Sequence, residues 1–184
     1  ADFHRRREVV ELLREPQQRP VTADAHLLHD GIHLSLEHAG GGFFLDAPEN
    51  SYRTQSLTGR ALTFEANAAT TGGAIYVTNG QLSLTNARIL TNTAALGGAM
   101  YLTSTDQLAP RGVITVTNSC IVSNSDTAVH YARGKAPIAA KANWWGTPDG
   151  PSGAAPGQGD SVSTNVDFAD FLTSNALGCP ELPY

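Results

Sequence analysis

Through the middle of the chain, apolar residues occupy every second position. Ile75 and Val77 flank Tyr76, Leu82 and Leu84 flank Ser83, and Ile114 and Val116 flank Thr115. Alternation with a period of two is the mark of a half-buried strand. Each run lasts only three to five residues before Asn, Gly or Thr intervenes, which predicts short strands joined by tight turns. The first segment has a different period. Phe3, Val9, Val10, Leu12 and Leu13 recur at helical spacing among Arg5, Arg6, Arg7, Glu8 and Glu11, predicting one amphipathic helix over 2–15 that stops before Pro16. A further alternating stretch sets Ile32, Leu34 and Leu36 against His33, Ser35 and Glu37, and residues 20–46 are expected to form a first coil of strand and turn.

The pattern repeats. FEANAATTGGAIYVT at 64–78 returns as ILTNTAALGGAMYLT at 89–103, an offset of 25 that sets Asn67 on Asn92 and Gly72-Gly73-Ala74 on Gly97-Gly98-Ala99. Leu82, Leu84, Asn86 and Ile89 return 32 residues later as Ile114, Val116, Asn118 and Ile121, the extra seven residues being a loop around 107–112. A hairpin array does not explain such a period, and the Thr, Asn and Gly content opposes a helical solenoid. A coil of three short strands needs about 20–25 residues, and stacked coils about 4.8 Å apart place equivalent residues over one another. The predicted fold is therefore all-β, a parallel β-helix over 21–172, with residues 1–20 as an N-terminal helical cap on its open end and 173–184 as a C-terminal tail.

Two columns of asparagine come out of the same alignment, Asn67, Asn92, Asn124 and Asn86, Asn118, Asn143. Their expected role is structural, since stacked amides hydrogen-bond from coil to coil and Asn tolerates left-handed corners. Tyr76 faces outward between Ile75 and Val77. The 25-residue offset puts Tyr101 above it, and His130 continues the column if Ala128 takes the place of Ala99, giving a candidate ligand-binding row of rings. Trp144 and Trp145 are adjacent, so in a strand they point to opposite sides, one into the interior and the other beneath a 146–165 loop; both are read as structural.

Charge narrows the function classes. Of 184 residues only 29 are charged, and nine of those lie in the first twenty, against 18 Gly, 18 Thr, 12 Ser and 10 Asn. A net charge of −5 gives no basic field for a nucleic-acid backbone, and no apolar run approaches the roughly 18 residues of a membrane span. The sequence opens at Ala1 with no signal-peptide pattern, which reads as a mature or excised product. Catalysis on this scaffold needs carboxylates gathered on one face, yet Asp106, Asp126, Asp149, Asp160, Asp167 and Asp170 fall in no repeat column. His26, His29, His33 and His38, near Asp24, Asp30 and Glu37, are dense enough for a transition metal but match no closed ligand spacing. No metal or cofactor is predicted, and a Ca²⁺ role for Asp149 and Asp160 is the remaining metal chemistry the sequence allows.

The Gly-Gly-Ala-Ile and Phe-x-x-Asn elements at 72–75 and 64–67, with their variants at 97–100 and 89–92, resemble the repeats of polymorphic-outer-membrane-protein-like β-helices. Asn143-Trp144-Trp145-Gly146-Thr147-Pro148, with Gly150-Pro151-Ser152, Gly159-Asp160 and Asn165-Val166-Asp167-Phe168, is similar to the closing segment of bacterial right-handed parallel β-helix repeat proteins. The resemblance implies a right-handed, pectate-lyase-like superhelix, extracellular or on the cell surface, often one module of a longer protein. In an exported chain the two cysteines, Cys120 and Cys179, most simply pair. The expected function is a non-enzymatic structural, assembly or adhesion element that meets a protein or glycan at a cell surface, without membrane insertion. The alternative is a carbohydrate-active enzyme, a lyase or hydrolase, on the same fold.

Overall fold

The computed structural model describes residues 24–28, 41–46, 56–104, 113–133 and 137–180. Fifteen short strands succeed one another along the chain: β1 (Asp24–Leu28), β2 (Phe43–Asp46), β3 (Ser56–Arg60), β4 (Thr63–Glu65), β5 (Ile75–Thr78), β6 (Gln81–Thr85), β7 (Arg88–Leu90) and β8 (Met100–Thr103). β9 (Ile114–Thr117), β10 (Cys120–Val122), β11 (Val129–Arg133), β12 (Ile138–Ala139), β13 (Pro151–Gly153), β14 (Gly159–Val162) and β15 (Val166–Asp167) complete the series. They form three sheets in the orders β1-β3-β6-β9-β12-β15, β10-β7-β4 and β13-β14-β11-β8-β5-β2. From β2 to β12, neighbours in each sheet come from successive turns of the chain and pair in parallel, so the molecule is an all-β parallel β-solenoid.

The registers are those of the repeat. Tyr76 pairs with Tyr101 and Leu57 with Leu82 at 25 residues, and Leu82 pairs with Ile114 at 32. Alternation sends Leu57, Leu82, Leu84, Ile75, Val77, Met100, Leu102 and Val116 inward, where they are almost wholly buried in one continuous core with Phe64, Ile89, Ile121 and Trp145. The antiparallel pairing of β1 with β3 departs from the solenoid pattern, so residues 24–28 add an edge strand rather than a parallel rung of a first coil. The helix expected at 2–15, the alternating stretch at 32–36 and the loop at 107–112 lie outside the described residues.

Corners are made where the chain turns left-handed. Ala61, Asn86, Asn118 and Ala142 all have φ near +50° to +55° and link the first sheet to the narrow one. The Gly-Gly pairs have a steric cause. Gly72 and Gly97 sit at φ +65° and +68°, and a Cβ on Gly73 or Gly98 would land on a carbonyl oxygen of the next coil, Gly98 O and Ser125 O respectively.

Candidate functional site

One asparagine column runs through the interior. The Asn67 backbone N–H and side-chain amide both donate to Asn92 Oδ1, at 3.0 and 2.9 Å, and Asn92 does the same to Asn124 Oδ1 at the same distances. Asn92 and Asn124 spend their second side-chain hydrogen on carbonyls of the preceding coil, Phe64 O and Ile89 O. The bonds from rung to rung have one direction, each asparagine donating to the next toward the C-terminal end, so the last rung serves as acceptor. That rung is Asp160: Oδ2 accepts from Asn124 N and Nδ2 at 2.9 and 2.8 Å, and Oδ1 from Ser123 N at 2.8 Å. Burial pushes the Asp160 carboxyl up to about 6, against the three N–H donors that pull it down.

The second column is corrected. Asn86 and Asn118 are exposed left-handed corners, whereas Asn143 is buried one position further along its coil. Trp144 pairs with Cys120, which fixes the offset at 24 and sets Asn143 over Ser119 and Ala87. There it makes a second inward ladder: Ser119 N donates to Asn143 Oδ1, Ala87 N to Ser119 Oγ, and Asn143 Nδ2 to Val116 O. Ala142 takes the corner, as Ala61 does at the other end.

Both tryptophans are buried and point to opposite sides as alternation predicts, but the outer one does not lie beneath a 146–165 loop. Residues 151–153 and 159–162 are strands of the last coil, not a loop. Trp145 lies in the main core, while Trp144 lies on the outer side of the narrow sheet with Leu90, Cys120 and Val122. The C-terminal segment covers it, through Leu172, Leu177 and Cys179. The Cys120–Cys179 disulfide, with Cα atoms 5.6 Å apart, holds that segment against the coils. Closing a loop of 59 residues contributes about 4 kcal/mol in the chain-entropy model.

On the opposite sheet the rings form a row. Tyr76, Tyr101 and His130 stack at centroid distances of 5.4 and 5.3 Å with planes 8° and 6° apart. Phe44 extends the row on the N-terminal side, 5.0 Å from Tyr76 at 12°. Reading the repeats alone misses Phe44, although it lies 32 residues before Tyr76, the same period that relates Leu82 to Ile114. In register beside the rings run Thr78, Thr103 and Arg133. The ring column gives way to Ser163, whose Oγ accepts from Tyr131 N and which occupies the position above His130.

Because the rings face one another, most of their π surface is spent within the column. All four offer ring edges outward, and the tyrosines add phenol hydroxyls; each ring is partly exposed. Among the described residues, three buried side-chain polar atoms lack a hydrogen-bond partner, and two of them, Thr78 Oγ1 and His130 Nδ1, belong to this face. Buried polar atoms are normally paired, so unmet capacity concentrates here.

Among the described residues, no group of three or more His, Cys, Asp or Glu side chains is gathered that could hold a metal ion. Asp160 spends both oxygens on the ladder, and Asp149 is exposed. The side chains of His26, His29, His33 and His38 lie outside the described residues. Nor does any described helix have the length and apolar character to cross a membrane. No family model, no curated protein and no solved structure matches the chain, so the resemblance read from the repeats stands on the solenoid fold alone.

Proposed function

We propose that this chain is a non-enzymatic, extracellular β-solenoid module that acts as an adhesion or assembly element at a cell surface, with the aromatic column as its recognition face. The single observation that carries the reading is the unbroken, partly exposed row Phe44–Tyr76–Tyr101–His130. The disulfide supports an oxidising compartment. The resemblance to bacterial right-handed repeat modules belongs to the same proposal.

The size of the face argues for its ligand. Four coils at about 4.8 Å and two outward columns about 7 Å apart span on the order of 100–200 Å². A stable protein interface takes about 800 Å² from each partner. A narrow, extended, hydroxyl-bearing ligand fits better, and a glycan chain laid along the solenoid axis meets the ring edges and phenol hydroxyls in turn.

The experiment is a glycan-array and cell-binding comparison of the unaltered protein with the Tyr76→Ser, Tyr101→Ser double variant. Binding is expected for the former and its loss in the latter, with far-UV circular dichroism preserved. Binding that survives the double change removes the column as the recognition face.

A further inference from the structure

The C-terminal segment from Leu172 to Pro180 is unlike the rest of the molecule. It contains no strand, and its backbone is tied to the coils by Leu172 N donating to Asn143 O. Two side chains of the coils reach it: Trp144 Nε1 donates to Pro180 O at 3.3 Å and Arg88 Nη1 to Gly178 O at 3.4 Å. The segment is otherwise folded on itself, Asn175 exchanging two bonds with the Cys179 backbone. Underneath lies an apolar strip on an outer sheet face. In the first coil the outward residues of that sheet are Thr63 and Glu65; in later coils the Glu65 column becomes Leu90 and Val122, and the Thr63 column becomes Arg88, Cys120 and Trp144. The strip is apolar only where the segment covers it.

Arg88 makes the disulfide chemically asymmetric. It is the register neighbour of Cys120, and its Nη1 stands 3.9 Å from Cys120 Sγ. A guanidinium at that distance stabilises a thiolate on Cys120, and a disulfide breaks faster when the departing sulfur is a stabilised thiolate. We propose that Cys120–Cys179 is a reducible latch, with Arg88 placed to receive Cys120 as the leaving thiolate, and that reduction lifts the Leu172–Pro180 strap off the Leu90–Val122–Trp144 strip while the coil stack stays folded. A dithiol supplies the electrons. Its thiolate attacks Cys179 Sγ, the Cys120 sulfur leaves with the bonding pair beside Arg88, and the second thiol of the reagent displaces Cys179. The protein ends with two thiols after protonation and the reagent as a cyclic disulfide.

The two tryptophans allow a direct reading, because Trp145 is in the core and Trp144 is under the strap. The full chain is treated with dithiothreitol while thiols are counted by alkylation and mass spectrometry, alongside tryptophan emission and far-UV circular dichroism. Reduction is expected to move the emission to longer wavelength with an unchanged dichroism spectrum. Cys179→Ser should give the same shifted emission with no reductant present. Arg88→Gln is expected to slow reduction roughly three- to tenfold, with Arg88→Lys closer to the unaltered rate. Emission that stays put in Cys179→Ser or after complete reduction, or dichroism that collapses with it, overturns the strap. Reduction of Arg88→Gln at an equal or faster rate shows that Arg88 merely clasps Gly178 and overturns the asymmetry.

Discussion

Replacing Asn92 by alanine removes the middle rung of the interior ladder and changes nothing on the surface. Two donors lose their partner at once, the Asn67 backbone N–H and the Asn67 side-chain amide, while the Phe64 carbonyl loses one donor and keeps its place in the β4–β7 ladder. Asn124 Oδ1 keeps one of its two donors from this coil, the Asn92 backbone N–H. Asn92 is wholly buried, so water does not replace the lost partners. At roughly 1–3 kcal/mol for each stranded group, and with partial relaxation, the destabilisation is about 4 kcal/mol. For a domain of this length that lowers the melting temperature by roughly 8–16 °C. Thermal unfolding followed by circular dichroism measures it, with Asn86→Ala as the internal control. Asn86 is an exposed left-handed corner in a column where Ala61 and Ala142 already take the same φ, so its loss should shift the melt by no more than about 4 °C. Equal shifts for the two variants refute the reasoning, because the ladder and the corner are then energetically alike.

The same geometry makes two further outcomes expected. Since burial raises the Asp160 carboxyl to about 6, its contribution to stability is fully present below about pH 4 and is lost as pH rises through 6; the change amounts to about 3 kcal/mol. Melting temperatures taken between pH 4 and 7 should therefore fall with rising pH, and Asp160→Asn should flatten that component. Gly98→Ala should destabilise severely, because its Cβ would lie on the Ser125 carbonyl, whereas Gly178→Ala meets no atom and carries only the penalty of its φ of +61°; chemical denaturation of the two variants separates them.

The repeat makes the solenoid legible because a parallel coil imposes the same environment on residues one turn apart. Gly73 and Gly98, or Asn67 and Asn92, answer identical constraints, and that identity survives in the sequence. Where the coil length changes, the signal weakens. A 25-residue offset from Asn118 reaches Asn143 by coincidence, while the pairing of Trp144 with Cys120 sets the true offset at 24 and moves Asn143 from the corner to the interior. Asp160 escapes the repeat as the ladder's end, since it lies 36 residues beyond Asn124 and differs in type, although an acceptor is what the end of a donating ladder requires. The strap is legible only as a disulfide: Leu172, Leu177 and Cys179 have no periodicity, and their burial depends on Leu90, Val122 and Trp144, which three different coils present. Tertiary covering of an outer sheet face leaves no local pattern. The outward rings are legible because alternation assigns Tyr76 and Tyr101 a side without knowledge of their partners.

Parallel stacking at fixed register underlies the ladder, the ring column and the strap alike, and a nuclear Overhauser measurement on the isotope-labelled protein tests it most directly. Contacts are expected between the rings of Tyr76 and Tyr101 and of Tyr101 and His130, together with the parallel-strand pattern of α-proton to amide contacts between 75–78 and 100–103. Antiparallel contacts between those segments, or the absence of any contact between residues 25 apart, would contradict it.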